Sequence, residues 1–302
     1  MKKDFLTILD LTREEAHGLV QRAAAMKSQR YTSDLFADQV LVMIFEKAST
    51  RTRLSFEVAV RRLGGSVIFM TDRESQLGRS EPLKDTARVI ARYAEGIIVR
   101  TFGQDKLHEL AKYADVPVVN ALSDSYHPCQ VMSDMLTMYE HTPEFEGLKV
   151  AWIGDGNNMA HSFINAAVHF PYKLVLACPE GFDPDPAILA KAKELGADVT
   201  LTRDPKEASA GAHYINTDVW ASMGQESEQA EREKVFAQFQ VNKELMALAD
   251  PQCKFMHCLP AHRGEEVTEY IFESPASIVF DQAENRLHMQ MAILEWVFTH
   301  QG

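Results

Sequence analysis

Short apolar runs recur along the chain, and between them lie longer stretches in which apolar residues return every three or four positions. The run at 40–45, VLVMIF, has no polar member, so both of its faces must be covered, as in a strand inside a parallel sheet. The same reading predicts strands at 67–70, 97–100 and 116–120, and further on at 149–153, 174–177, 199–202, 214–216, 254–257 and 278–280. Helical periodicity predicts helices at 51–63, 82–93, 130–140, 158–170 and 187–195, with a last one from about 284. Thr12-x-x-Glu15 opens the first helix as a capping box, in which each side chain satisfies the other residue's orphan amide. Strands alternating with helices imply an α/β chain with parallel sheets joined by right-handed crossovers.

The tract His141-Thr142-Pro143-Glu144-Phe145-Glu146-Gly147 breaks this alternation and reads as a linker. It predicts two domains, 1–140 and 147–283, and 302 residues suit two cores of about 150 each. A charged stretch at 225–234 has no apolar period and reads as a solvated helix or loop, with a mobile flap as the rival reading. The formal net charge of −12 argues against nucleic acid and anionic membrane surfaces as partners. No apolar run approaches the ~20 residues that cross a bilayer. Met1-Lys2-Lys3-Asp4-Phe5 has neither a signal core nor a transit-peptide pattern. Cys129, Cys178, Cys253 and Cys258 form no CxxC pair, which suits reduced thiols and a cytoplasmic protein.

In open parallel sheets, ligands bind beyond the carboxyl ends of the strands, where helix N-termini also point. The unusual polar clusters fall there one after another. Ser49-Thr50-Arg51-Thr52-Arg53 follows the first strand, Gln76-Leu77-Gly78-Arg79 comes soon after the second, Arg100-Thr101 ends the third, and His127-Pro128-Cys129-Gln130 follows the fourth. Gly154-Asp155-Gly156-Asn157-Asn158, Asp218-Val219-Trp220-Ala221-Ser222-Met223-Gly224 and His257-Cys258-Leu259-Pro260 repeat the placement in the second half. Ser49–Arg53 suits a phosphate, because hydroxyls cap the following helix, its first amides face outward, and Arg51 offers a bidentate fork. A capped surface helix explains those five residues equally well, and Arg100 and His127 tip the reading toward an anion. Gly154–Asn158 resembles a dinucleotide loop, but Met159 stands where the fingerprint needs its third small residue. His257, Cys258 and His262 match no zinc spacing.

Together these motifs resemble those of the ornithine carbamoyltransferases over essentially the whole chain. Phe45-Glu46-Lys47-Ala48-Ser49-Thr50-Arg51-Thr52-Arg53 and His127-Pro128-x-Gln130 are similar to the elements shared by all carbamoyltransferases. Asp218-Val219-Trp220-x-Ser222-Met223-Gly224 and His257-Cys258-Leu259-Pro260 resemble those of the ornithine branch. Two departures are Cys129, where many bacterial members carry Thr, and Ser80-Glu81-Pro82, which replaces a glycine-containing loop.

The resemblance implies two parallel-sheet domains flanked by helices, an active site in the interdomain cleft, and a last helix that returns to the first domain. It also implies homotrimers or multiples of them, with sites at subunit interfaces. Carbamoyl phosphate would be held by Ser49, Thr50, Arg51, Thr52, Arg100, His127, Gln130 and Arg286, with Cys258 and Leu259 beside it and Gln76 reaching in from a neighbouring subunit. L-Ornithine would be held by Asn158, Asp218, Ser222 and Met223. The chemistry would fall to Cys258, Arg100, His127 and Asp218, with citrulline and phosphate as products of arginine metabolism. No cofactor or metal is implied, because carbamoyl phosphate is already activated. Rival readings are a carbamoyltransferase for another amine (putrescine or N-acetylornithine), a nucleotide-binding oxidoreductase and a non-catalytic relative. Asp218 and Ser222-Met223-Gly224 suit a free α-amino acid and disfavour the first.

Overall fold

Val40–Phe45 (β1) is buried at five of its six positions in the computed structural model, as an unbroken apolar run requires. The structure describes residues 2–71, 81–221 and 229–299. Before β1 comes α1 (Arg13–Ser28), and after it α2 (Thr50–Arg62), β2 (Ser66–Thr71), α3 (Leu83–Ile90), β3 (Gly96–Arg100), α4 (Gln104–Tyr113), β4 (Val118–Leu122) and α5 (Pro128–His141). The chain continues through β5 (Lys149–Ile153), α6 (Asn158–His169), β6 (Lys173–Ala177), α7 (Pro186–Glu194), β7 (Val199–Thr202), α8 (Pro205–Ser209) and β8 (Tyr214–Thr217). It ends with α9 (Gln229–Phe236), α10 (Lys243–Leu248), β9 (Lys254–His257), α11 (Glu269–Phe272) and α12 (Val279–Thr299).

Two compact units result, Met1–Leu136 with Glu284–Gly302, and Thr137–Ala283. The first holds a sheet of order β2-β1-β3-β4 and the second one of order β7-β6-β5-β8-β9. Every pairing within them is parallel, the α/β architecture that the alternation predicts. In the first sheet the crossover direction reverses between β1 and β3, and in the second between β5 and β8. At such a reversal the two following loops part and leave a crevice at the carboxyl edge.

The capping box at Thr12 and Glu15 forms as its spacing requires. The strand expected at 278–280 does not. Ser277 makes only a bridge to Phe255, and Val279 and Phe280 open α12. Three adjacent apolar residues carry no period of their own, and the buried series that continues from Val279 is helical. The strand expected at 116–120 lies at Val118–Leu122, because Pro117 has no amide to give a ladder. Within 225–234, the described residues include a buried one. Arg232 donates to Asp155 Oδ2 and to the Trp220 carbonyl, each at 2.9 Å, so this helix is not simply solvated.

In the first unit the N-terminal segment extends the sheet. Phe5 forms a parallel bridge with Val119, its amide donates to the Val118 carbonyl at 2.9 Å, and Asn120 donates back to its carbonyl at 2.8 Å. The Phe5 ring is fully buried and meets Trp296 of α12 edge-on at 6.3 Å, while Phe298 meets Phe36 at 4.6 Å. Arg22 of α1 clasps Glu295 with bonds of 2.7 and 2.9 Å. Phe5→Ala should therefore destabilise the protein by about 3–5 kcal/mol in urea unfolding, with Phe5→Leu costing much less. Equal midpoints for Phe5→Ala and wild type would show that the ring is not part of this core.

Candidate active site

β1 and β3 lie side by side with Phe45 in register with Arg100, so the segment leaving β1 starts beside the end of β3. The Glu46 amide donates to the Arg100 carbonyl at 2.8 Å, and the Glu46 carboxylate accepts from Thr101 Oγ1 at 2.5 Å and from Lys106 at 2.8 Å. That pins the loop whose next residues start α2. Ser49 caps the helix by accepting from the Thr52 amide at 3.3 Å, which leaves other first-turn amides pointing outward. Arg51 is half-buried and Thr50 exposed at this N-terminus.

Behind it, Thr52 is buried and its Oγ1 accepts from Arg286 Nη2 of α12 at 2.7 Å. Arg286 Nη1 also donates to Gln130 Oε1, and Gln130 Nε2 donates to Asp134 Oδ1 at 2.8 Å. Arg100, Arg286, His127, Gln130 and Asp134 are all buried. Burial depresses the His127 pKa well below 6.5, and the Arg286 and Arg100 charges depress it further. His127 is thus neutral at pH 7, an N–H donor among guanidiniums. Two buried arginines with one nearby carboxylate leave a site that an anion would complete.

In the second unit the corresponding reversal lies between β5 and β8. Gly156 sits so close to the Asp183–Pro184 backbone that a Cβ would come within 2.2 Å of the Pro184 nitrogen, so no other residue fits. Asn157 caps α6, its Oδ1 accepting from Met159 and Ala160 at 2.9 and 3.2 Å. Its Nδ2 donates to Asp218 Oδ2 at 2.9 Å. Asp218 Oδ1 accepts from the Val219 amide at 2.8 Å and from the Cys258 thiol at 3.1 Å. Arg232 holds Asp155 nearby; burial raises the Asp155 pKa, and the Arg232 charge opposes that shift.

Cys258 follows β9 in a turn where Leu259 has φ +60 and the Leu259–Pro260 peptide is cis. Asp218, His257 and Cys258 present potential metal-ligand atoms within 4.8 Å of one another. Each is engaged in hydrogen bonds, His257 through Nδ1 to the Leu259 amide at 2.9 Å and through Nε2 to Glu266 at 3.1 Å. The donor set therefore does not fit a metal without losing those bonds.

The aspartate/ornithine carbamoyltransferase carbamoyl-P binding domain matches residues 3–140, and the family's Asp/Orn binding domain matches 146–297. A curated ornithine carbamoyltransferase of Nitratidesulfovibrio vulgaris is 63% identical over 99% of this chain and 100% of its own. The chain belongs to the aspartate/ornithine carbamoyltransferase family. The solved ornithine carbamoyltransferase from Pyrococcus furiosus superposes with a TM-score of 0.94 at 45% identity, covering 100% of this chain and 98% of its own. That from Thermus thermophilus gives 0.91 at 41%, covering 99% and 100%.

Of the residues that the carbamoyltransferase motifs single out, the fold joins Thr52, Gln130 and Arg286 by hydrogen bonds, with Arg286 and Arg100 close enough to His127 for their charges to lower its pKa. It joins Asp218 to Cys258, while Asn158 opens α6 and its carbonyl accepts from Ser162 at 2.7 Å. Gln76, Ser222 and Met223 lie outside the described residues. Cys129 is fully buried, bonded to the Asn120 carbonyl at 3.3 Å, and burial pushes its pKa up to about 12, so it packs as a neutral thiol. Asn157 was named in the cluster after β5 without a role, and its N-cap position was the signal for one. Arg232 and Glu266 were missed by sequence reasoning and carried no signal, since only folding brings them to these loops.

The pH dependence of stability checks the His127 assignment. In the unfolded chain this histidine takes a proton as pH falls through about 6.5, and in the folded protein only at lower pH. The unfolded state then binds more protons, so stability drops as pH falls below about 6.5. Burial lowers His288 in the same direction, and that contribution remains in a His127 variant. His127→Gln should flatten the plot of unfolding free energy against pH from about 6.5 to 5. An unchanged slope would mean that His127 titrates normally.

Proposed function

We infer that this protein transfers the carbamoyl group of carbamoyl phosphate to the δ-amine of L-ornithine, giving L-citrulline and phosphate. Full-length identity of 63% to a curated ornithine carbamoyltransferase carries this reading. The two sites give it a mechanism. The exposed amides at the start of α2, with Ser49, Thr50 and Arg51, hold the phosphate, and Arg286 orders Thr52 and Gln130 behind them. Thr52 Oγ1 accepts from Arg286, so its own hydrogen is left to donate to the ligand. Gln76 completes this site, contributed by a neighbouring subunit. Asp218 and Asn158, with Ser222 and Met223, hold the α-amino and α-carboxylate groups of ornithine.

The δ-amine has a pKa near that of lysine, about 10.4, so its neutral form costs roughly 4–5 kcal/mol at pH 7. Asp218 and Cys258, already joined by a thiol hydrogen bond, take and relay the proton that must leave. The nitrogen then adds to the carbonyl carbon, and charge builds on the carbonyl oxygen. Arg100, neutral His127 and Thr52 donate to that oxygen in the manner of an oxyanion hole. The carbonyl re-forms as the C–O bond to phosphate breaks; the electron pair leaves with the phosphate, which takes the second proton from the nitrogen and which Arg51 and the helix amides stabilise.

We read the reaction as part of arginine metabolism in the cytoplasm, a reducing compartment that suits four free thiols. We further propose that the protein assembles as a homotrimer or a multiple of trimers. Leu54 of α2 and Ile68 of the edge strand β2 are 61% and 53% exposed, apolar surface that a partner would cover.

Purified protein should form citrulline from carbamoyl phosphate and ornithine, and far less product from putrescine or N-acetylornithine. In the same assay Arg51→Gln should lower kcat/KM for carbamoyl phosphate by about 100-fold or more without changing the fold. Product from putrescine alone would move the reading to another amine, and a nearly unimpaired Arg51→Gln enzyme would remove the phosphate assignment. Sedimentation equilibrium should give the mass of three chains or a multiple, and a single-chain mass at micromolar concentration would end the trimer proposal.

A further inference from the structure

Glu266 is fully buried, yet its carboxylate belongs to no motif and its place in the fold is built with care. The loop that carries it is fastened from behind. Gln240 donates to the Gly264 and Glu265 carbonyls at 2.8 Å each, and the Val241 amide donates to the Glu266 carbonyl at 2.8 Å. Glu266 Oε1 then accepts from the His262 amide at 2.6 Å and from His257 Nε2 at 3.1 Å.

His257 is fully buried too, and its other nitrogen settles which one carries the proton. Nδ1 accepts from the Leu259 amide at 2.9 Å and so bears no hydrogen, which leaves the proton on Nε2, facing Glu266. The His257 amide is itself held, donating to Gln282 Oε1 at 2.9 Å. His257 is therefore a strut and not a base for its neighbour. Leu259, at φ +60, occupies a conformation that side-chain-bearing residues rarely adopt, and its bond to Nδ1 helps to hold it there. Between these two fixed residues stands Cys258, its thiol 3.1 Å from Asp218.

Burying a carboxylate is costly unless hydrogen bonds offset it; here both fall on Oε1, and they fix the tautomer and tilt of one imidazole. We propose that Glu266 is a positioning residue for carbamoyl transfer: acting through His257, it sets the turn that holds the Cys258 thiol against Asp218. The proposal rests on the functional reading above only in that Cys258 and Asp218 meet the substrate.

Alkylation by iodoacetamide reads the geometry without any turnover. Cys129, Cys178 and Cys253 are buried, so the half-buried Cys258 is the thiol that reacts. A thiol held against a carboxylate is a poor nucleophile, and losing a hydrogen bond to a charged group is equivalent to about a ten-fold change in rate. Glu266→Ala should raise the alkylation rate about ten-fold and lower kcat for citrulline formation by a similar factor. Glu266→Gln keeps one acceptor oxygen at the same volume and should show both effects at about three-fold. If the alanine variant fails to fold, the glutamine variant decides.

Folded variants with wild-type alkylation rate would overturn the proposal, as would a loss of kcat with no change in alkylation. Wild-type protein that makes no citrulline would instead sink the functional reading, and the alkylation result would still judge the strut.

Discussion

A parallel sheet sends the carboxyl ends of all its strands to one edge, and the connections must leave from that edge. Where the crossover direction reverses, two neighbouring loops diverge, and the backbone itself opens a crevice with helix N-termini aimed into it. Both units obey this constraint, at β1 and β3 in one and at β5 and β8 in the other. Most of the motif residues among the described ones lie at these two edges. The apolar strands behind them do no chemistry, but their register decides that Phe45 ends beside Arg100 and that Trp152 pairs with Asn216 two residues before Asp218.

The two edges solve opposite electrostatic problems. The first buries Arg100 and Arg286, and burying cations is costly unless hydrogen bonds and counter-charge offset it. Thr52, Gln130 and the buried Asp134 supply part of that, and His127 avoids adding to the charge by staying neutral. The balance of these groups remains positive, which favours an anion there. The second edge carries carboxylates, Asp218 and Asp155, with Asn157, Cys258 and Arg232 as their donors. The two edges thus differ in charge, the first rich in buried guanidinium and the second in carboxylate.

Rigidity in the second unit comes from groups that do not meet the substrate. Gly156 allows the backbone at Asp183–Pro184 to press against the loop after β5. Arg232 ties that loop to the Trp220 carbonyl, and Glu266 with His257 does the same for the turn after β9. Each of these is buried, so its bonds act in a low dielectric, where a misplaced partner costs more than it would at the surface.

The sequence by itself determined where the strands lie and which edge would bear the site. The unbroken apolar run VLVMIF located β1 to the residue, because a strand covered on both faces has no polar position to blur its ends, and short runs with few polar members placed β5, β7 and β9 at the same bounds. Hydroxyls and arginine after β1, and Asp218 and Cys258 after β8 and β9, were visible because motif residues sit next to strand ends. Residues 278–280 deceived because three apolar residues carry no period, and tertiary packing chose helix. Only the fold could bring Arg286 to Thr52 and Gln130, or Glu266 to His257. Those bonds join residues from different elements, and linear spacing holds no record of which buried cation or carboxylate will find which partner.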